Sequence, residues 1–113
     1  MPFNEKLADR VRELIAATTD KIEEKKMFGG LCFMVDDKMC AGVKQHEVMV
    51  RVGPDQYEAL LEKEGVRPMI HGERTAIGYL FVDDSMLATK KQLEYWIKLA
   101  LDFNKFAKPA KKK

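Results

Sequence analysis

LCFMVDDKMCAGVKQHEVMVRV, the sequence of residues 31–52, consists of three strand-forming runs separated by two short polar segments. The runs are Leu31–Val35, Met39–Val43 and Val48–Val52, and the polar segments between them have the composition of tight turns. This pattern is typical of consecutive strands that each fold back beside the previous one. These residues therefore predict a three-stranded antiparallel meander.

Amphipathic periodicity predicts one helix before the meander and one near the end of the chain. Residues 5–25 place apolar side chains at three- and four-residue steps, with Asn4 as the N-cap. Thr89 is the predicted N-cap of the last helix, whose apolar side includes Trp96 and which the chain is expected to leave near Pro109. Both helices have a charged opposite side, so each is expected to pack one side on the sheet.

The chain between the meander and the last helix predicts a further helix, a loop and a strand. Pro54 lies in the first turn of the helix, and Gly65 ends it. Residues 67–73 contain proline and glycine and are predicted to form a loop, whereas apolar alternation over Thr75–Val82 predicts a strand. The order helix, three strands, helix, strand, helix indicates an α+β domain with an antiparallel sheet packed with helices.

Apolar side chains occur on both faces of the predicted strands. Cys32 and Met34 alternate with Leu31 and Phe33, so neither face of that strand is polar. Either the helices cover both faces of the sheet, or a second molecule covers one of them. Following the second arrangement, we expect a homodimer with twofold symmetry.

Length and composition fit one globular domain of the cytoplasm. The chain has 113 residues, 46% of them apolar and 34% charged, and domains typically have about 100–150 residues. The longest uncharged apolar run, residues 27–35, is far shorter than the roughly 20 residues of a membrane-spanning helix. The first residues lack an apolar signal core and two cysteines are too few for a secreted disulfide framework, so we expect a cytoplasmic protein.

Basic charge is concentrated at the end of the chain. Five lysines lie within residues 105–113, and residues 1–104 carry 15 basic and 18 acidic side chains, a net charge of −3. We therefore predict a folded domain over residues 1–104 and a disordered lysine-rich tail over residues 105–113. A mildly acidic body argues against a nucleic-acid groove on the fold itself. The candidates for weak, non-specific contacts with nucleic acid are Lys108, Lys111, Lys112 and Lys113.

Cys32 and Cys40 lie on neighbouring strands of the first predicted hairpin. A three-residue turn would make them diagonal neighbours beyond disulfide reach, and a two-residue turn would place them on opposite faces. Together with His46 they match no familiar spacing of zinc ligands. We therefore expect two small buried thiols, and neither a metal nor a cofactor.

The remaining polar residues do not form a catalytic set. His46 and His71 fall in predicted turns, without a neighbouring nucleophile and a third orienting group. The pair Gly29-Gly30 precedes a strand, whereas a phosphate cradle needs a helix N-terminus. We therefore expect the protein not to be an enzyme.

Five segments together resemble the TfoX N-terminal-domain family. They read KMFGG at 26–30, MVRV at 49–52, GVRPM at 65–69, GYLFVD at 78–83 and LEYWI at 93–97. The resemblance implies a bacterial α+β domain with a single sheet. The founding members of the family are competence regulators that act as coactivators of the cAMP receptor protein and not as enzymes. The resemblance therefore implies a protein-binding domain, accessory to transcription regulation or competence, whose partner is a transcription factor or a second copy of the chain.

Two sets of residues are candidate sites. Met27, Phe28, Gly29 and Gly30 form a candidate partner-recognition or turn motif, interpreted as the turn between the first helix and the first strand. One glycine there is expected to need a positive φ, so Gly30→Val is expected to damage the fold.

The second candidate set contains Arg51, which is the one charge inside a predicted strand, and Tyr79. They are candidate contacts for an anion or ligand, in a pocket near Phe28. The alternative functions are therefore a small-molecule binder or enzyme that uses this pocket, and a nucleic-acid accessory that uses the lysine tail.

Overall fold

A computed structural model of the chain describes residues 3–27, 30–71 and 73–106. All six strands belong to one antiparallel sheet, with the order β1-β2-β3-β4-β6-β5. The predicted α+β class is therefore confirmed. The elements in chain order are α1 (Glu5–Ala16), β1 (Ile22–Met27), β2 (Gly30–Val35), β3 (Lys38–Val43), β4 (Glu47–Arg51), α2 (Pro54–Leu61), β5 (Val66–His71), β6 (Arg74–Asp83), a 3₁₀ turn (Asp84–Met86) and α3 (Lys90–Asn104).

The predicted meander is confirmed, and a strand that the sequence analysis missed precedes it. The helix predicted over residues 5–25 is wrong beyond residue 16, because residues 22–27 form β1. The N–H of Lys21 donates to Oγ1 of Thr19 (3.1 Å), a local turn that competes with further helix. Four consecutive charged residues of β1, residues 23–26, are exposed, so no alternation of polarity marks this edge strand.

The loop predicted over residues 67–73 is also wrong, because Val66–His71 forms β5. Pro68 lies in this strand although it has no N–H to donate. β5 is at the edge of the sheet, and its pairing with β6 shifts register between Pro68 and Ile70. Edge strands and bulges are the positions where sheets tolerate proline.

The described helices pack their buried residues against one face of the sheet, here called the helix face. The alternative in which helices cover both faces is therefore wrong for the described part of the chain. Strand pairing aligns two rows of mostly buried residues on the helix face, and α1 and α3 contribute Val11, Ile15, Leu93 and Ile97 to the core. The rows are Leu31, Val43, Val48, Val82 and Val66, and Phe33, Ala41, Val50, Leu80 and Pro68.

Both predicted N-caps are confirmed. Oδ1 of Asn4 accepts from the N–H of Leu7 (3.0 Å), and Oγ1 of Thr89 accepts from the N–H of Gln92 (3.1 Å). The Gln92 side chain accepts in return from the N–H of Thr89 (3.0 Å), which completes a capping box. Arg10 donates to the carbonyl of Leu87 (2.7 Å) and so connects α1 to the segment before α3.

The hairpin formed by β2 and β3 has a two-residue turn, which places the two cysteines on opposite faces of the sheet. Asp36 and Asp37 have φ of 54° and 64°, as a type I′ turn requires. The β2–β3 pairing then shifts register, so that Phe33 pairs with Ala41. Cys40 consequently lies in the core of the helix face, whereas Cys32 points to the other face.

Candidate functional site

The other face of the sheet, here called the methionine face, carries the buried residues Cys32, Met34, Met49 and Met69. A row of paired residues crosses this face over all six strands, and directly paired residues point to the same side of a sheet. Both ends of the row are basic and its centre is apolar. In strand order the row is Lys25, Cys32, Gly42, Met49, Phe81 and Arg67.

The centre of the methionine face is buried within the single chain. Cys32 and Met49 are each 3% exposed and Met69 is 7% exposed. Gly42 lies between Cys32 and Met49 in the row and has no side chain to separate them. A Cβ added at Gly42 would lie 3.3 Å from Cε of Met49 and 3.5 Å from Sγ of Cys32. The thiol and the thiomethyl group therefore approach each other over a glycine.

A small cavity of about 20 Å³ lies at this centre. Its walls expose only apolar surface. Burial raises the pKa of the Cys32 thiol, and the nearby ammonium group of Lys44 acts in the opposite direction. The lining residues are Gly30, Leu31, Cys32, Gly42, Val43, Lys44, Met49, Met69 and Phe81.

Charged side chains surround the apolar centre. Nζ of Lys44 lies 5.1 Å from the ring centroid of Phe81, a cation–π contact. Arg67 donates to Oε1 of Glu47, and its Nη1 is 3.8 Å from Oδ1 of Asp83. The hydroxyl and N–H of Ser85 donate to Oδ2 of Asp83 and lower the pKa of that carboxyl, with a further contribution from Arg67.

The structure brings the predicted pair Arg51 and Tyr79 together. They are directly paired between β4 and β6, and the guanidinium carbon lies 5.3 Å from the Tyr79 ring centroid. It also lies 5.7 Å from the ring centroid of Phe103, at the end of α3. Two rings therefore hold the guanidinium. Phe28, the third residue of the predicted pocket, lies outside the described residues, and binding of an anion there stays a prediction.

The glycine-containing motif lies in the hairpin between β1 and β2, where Met27 pairs with Gly30. The predicted turn between a helix and a strand is therefore wrong, because residues 22–27 form a strand. Phe28 and Gly29 lie outside the described residues. A Cβ at Gly30 would lie 2.4 Å from the carbonyl oxygen of Val43. Gly30 is thus required by close backbone approach, and its φ is not positive. The positive φ was predicted for one of the two glycines, and Gly29 lies outside the described residues.

The other candidate ligands are dispersed. Cys32 and Cys40 face opposite sides of the sheet, and the exposed His46 has its Nδ1 3.6 Å from Oδ2 of Asp84. Among the described residues, no group of three or more His, Cys, Asp or Glu side chains could hold a metal ion. The four tail lysines, Lys108, Lys111, Lys112 and Lys113, lie outside the described residues, so the tail's disorder and its contacts with nucleic acid stay predictions.

Two large apolar side chains are exposed on the β5–β6 ribbon, which is formed by residues 66–71 and 74–83. Ile70 is 59% exposed and Ile77 is 60% exposed. β4 pairs with the second half of β6, so the first residues of β6 and the end of β5 extend beyond β4 as a two-stranded arm. Sequence reasoning missed this surface because it predicted a loop over residues 67–73.

A second surface feature is a groove of about 500 Å³ between the end of α2 and the start of α3. Tyr95 in this groove is 46% exposed. Nζ of Lys63 lies 5.4 Å from its ring centroid, and the ring also makes an edge contact with buried Trp96. Lys63, Glu64 and Met86 of this groove adjoin the β5–β6 ribbon in sequence, whereas Tyr95 lies on α3, outside the ribbon, and supplies a control residue for experiments.

The fold and its two unlike sheet faces define a small α+β domain with a six-stranded antiparallel sheet. Residues 13–104 match the TfoX N-terminal domain family, and the chain belongs to that family. No curated protein matches the sequence. A crystal structure of a protein from Pseudomonas syringae, determined by a structural genomics consortium, has the same fold with a TM-score of 0.61 at 15% identity. The match covers 89% of this chain and 97% of that one.

The described part of the chain contains no helix long and apolar enough to cross a membrane.

Proposed function

We propose that this domain binds another protein through its β5–β6 ribbon and acts as a non-enzymatic accessory to transcription regulation. The observation that carries the proposal is the pair of exposed isoleucines, Ile70 and Ile77, on an arm that extends beyond β4. Membership of the TfoX N-terminal domain family supports a regulatory role. The partner we propose is a transcription factor.

The two isoleucines can supply appreciable binding energy. Burial of an isoleucine contributes about 1.5–3 kcal/mol, so a partner that covers both gains more than from a single scattered apolar residue. β5 is an edge strand, but Pro68 and the register shift interrupt its free hydrogen-bonding edge. Contacts through side chains are therefore favoured over the addition of a strand from the partner.

The other edge of the sheet is less suited to a partner. Residues 23–26 of β1 are Glu, Glu, Lys and Lys, and all four are exposed. Charged side chains on an edge strand oppose pairing with another strand. This difference between the two edges directs the proposal to the ribbon.

The described side chains also favour binding over catalysis. The thiols of Cys32 and Cys40 are buried on opposite faces, and burial raises the pKa of each, which suppresses the nucleophilic thiolate. The charged residues around the methionine face mostly pair with each other or with aromatic rings. These features support a non-enzymatic role.

A homodimer stays a proposal with a changed contact surface. The dimer was expected to cover an apolar sheet face, but Cys32, Met34, Met49 and Met69 are buried within one chain. Self-association is therefore better supported at the exposed isoleucines of the ribbon. In the experiment below, self-association is measured separately.

The test is binding of the purified chain to the cAMP receptor protein of the same bacterium, assembled with cAMP and promoter DNA on a biosensor surface. Ile70→Glu and Ile77→Glu are each expected to weaken binding at least about tenfold. Tyr95→Glu, which changes an exposed aromatic side chain away from the ribbon, is the matched control and is expected to bind like the parent.

Light scattering at two concentrations shows whether a second copy occupies the ribbon instead. If all variants bind the complex as tightly as the parent does, the partner binds a surface other than the ribbon. A parent chain that binds neither the complex nor itself would overturn the protein-binding proposal.

A further inference from the structure

Buried methionine is distributed unequally between the two faces of the sheet. Three buried methionines, Met34, Met49 and Met69, lie on the methionine face together with the Cys32 thiol. The buried core of the helix face, within the described residues, has no methionine and contains one sulfur atom, that of Cys40. The buried methionines of the described residues therefore lie on one side of the sheet, and only the partly buried Met86 packs against the core on the other.

Three of these side chains line one cavity. Cys32 and Met49 approach it from the two sides of Gly42, and Met69 reaches it from the irregular segment of β5. The cavity of about 20 Å³ has room for a single ion or water molecule. A water molecule needs two to four polar partners, and among the lining side chains only the Lys44 ammonium and the weakly polar Cys32 thiol could serve. A ligand that binds sulfur suits this space better.

We propose that Cys32, Met49 and Met69 form a binding site for Cu(I). Thiolate and thioether groups are soft ligands, and they select Cu(I) over the harder divalent ions. Methionine side chains have three rotatable bonds, so the two thioether groups can turn their sulfur atoms towards a bound ion. The site shares Met69 with the β5–β6 ribbon, but it does not involve the exposed Ile70 and Ile77.

Charge balance also favours a monovalent ion. On binding, the Cys32 thiol releases its proton to solvent and its sulfur forms a bond to Cu(I), without any change of oxidation state. One thiolate, two neutral thioethers and one Cu(I) have no net charge, so the complex adds no charge beside the Lys44 ammonium, which also lines the cavity. Zn(II) with the same three ligands would add a positive charge beside the Lys44 ammonium, so it is expected to compete poorly.

The test is titration of the reduced chain with Cu(I) under anaerobic conditions, in competition with the chelator bicinchoninate. One Cu(I) per chain is expected. Cys32→Ser should lower the affinity by about 100-fold or more, and Met49→Leu and Met69→Leu by about tenfold each. The leucine substitutions preserve side-chain volume, and thermal unfolding of each variant checks the fold.

Matched controls distinguish this site from a reactive thiol. Cys40→Ser and Met34→Leu change sulfur residues that do not line the cavity, and both are expected to bind Cu(I) like the parent. X-ray absorption of the loaded chain should detect three sulfur ligands. The proposal is overturned if Met49→Leu and Met69→Leu bind like the parent, or if Cys40→Ser weakens binding as much as Cys32→Ser does.

Discussion

The two faces of the sheet are buried by different means. On the helix face, branched and aromatic residues such as Phe33, Val50 and Leu80 pack under three helices. On the methionine face, Met49 and its neighbours are covered with the help of Gly42, which lets side chains from adjacent strands meet. β-branched and aromatic side chains have few rotamers, whereas methionine is adaptable. We therefore expect a rigid core on one side of the sheet and a deformable layer on the other.

Truncating one residue on each face tests this difference with the largest expected effect. Leu80→Ala on the helix face is expected to cost about 4 kcal/mol of unfolding free energy, and Met49→Ala on the methionine face about 2 kcal/mol. The cavity left by Leu80→Ala is enclosed by side chains with few rotamers, whereas flexible neighbours can fill the cavity left by Met49→Ala. Urea unfolding measures both values. Equal costs would show that the two faces are equally rigid.

Two glycines of the methionine face are expected to respond differently to an added side chain. Gly30→Val should cost about 3 kcal/mol, since its Cβ meets the rigid carbonyl of Val43 at 2.4 Å. Gly42→Ala should cost less than about 1 kcal/mol, because its nearest neighbour is the flexible end of Met49. Thermal unfolding gives both shifts. If Gly42→Ala is as harmful as Gly30→Val, the layer over Gly42 is not deformable.

The dependence of stability on high pH should differ between the two buried thiols, Cys40 and Cys32. Burial raises the pKa of Cys40 from its ordinary value of 9.0 to about 12. Above pH 9 the unfolded thiol ionises while the folded one stays protonated, so stability is present below pH 9 and is lost as the pH rises towards 12. The loss contributed by Cys40 has a slope of up to about 1.4 kcal/mol per pH unit.

Urea unfolding of the parent and of Cys40→Ala between pH 8 and about pH 11 isolates this slope. Cys32→Ala should remove a smaller slope, because Lys44 partly offsets the effect of burial on the Cys32 pKa. A parent and a Cys40→Ala variant with the same pH dependence would contradict the burial of Cys40.

The charged residues around the methionine face should contribute least to stability. Arg67→Met removes the ion pair with Glu47 and is expected to cost less than about 1 kcal/mol at low salt. In about 1 M salt the difference in unfolding free energy from the parent should disappear, because the Debye length falls to about 3 Å and exposed ion pairs are screened. A cost that persists at high salt would mean that Arg67 stabilises the fold through packing of its methylene groups.

Local sequence signals predicted the elements that depend on local interactions. The meander, the last helix and both N-caps follow from short-range patterns such as the capping box of Thr89 and Gln92. β1 and β5 were missed because backbone pairing with a neighbouring strand stabilises them. The charged residues 23–26 and Pro68 are poor strand signals by themselves, and both strands occupy sheet edges where such residues are tolerated.

The same limit applied to the candidate sites. The sequence singled out Arg51 and Tyr79 as one candidate set, but their direct contact follows from the pairing of β4 with β6, which are separated along the chain by α2 and β5. The cavity at Cys32, Met49 and Met69 combines three strands and a register shift. No spacing along the chain marks such a cluster.

The sequence by itself determined the α+β class, the family and the polarity of each local segment. Hydrophobic periodicity, capping residues and turn residues act over a few positions, and they are readable without knowledge of the rest of the chain. Only the tertiary structure decided which face each thiol occupies and why Gly30 must be glycine. The two-residue turn at Asp36 and Asp37 and the approach of Gly30 to the Val43 carbonyl decided these points, because strand register depends on contacts between distant segments.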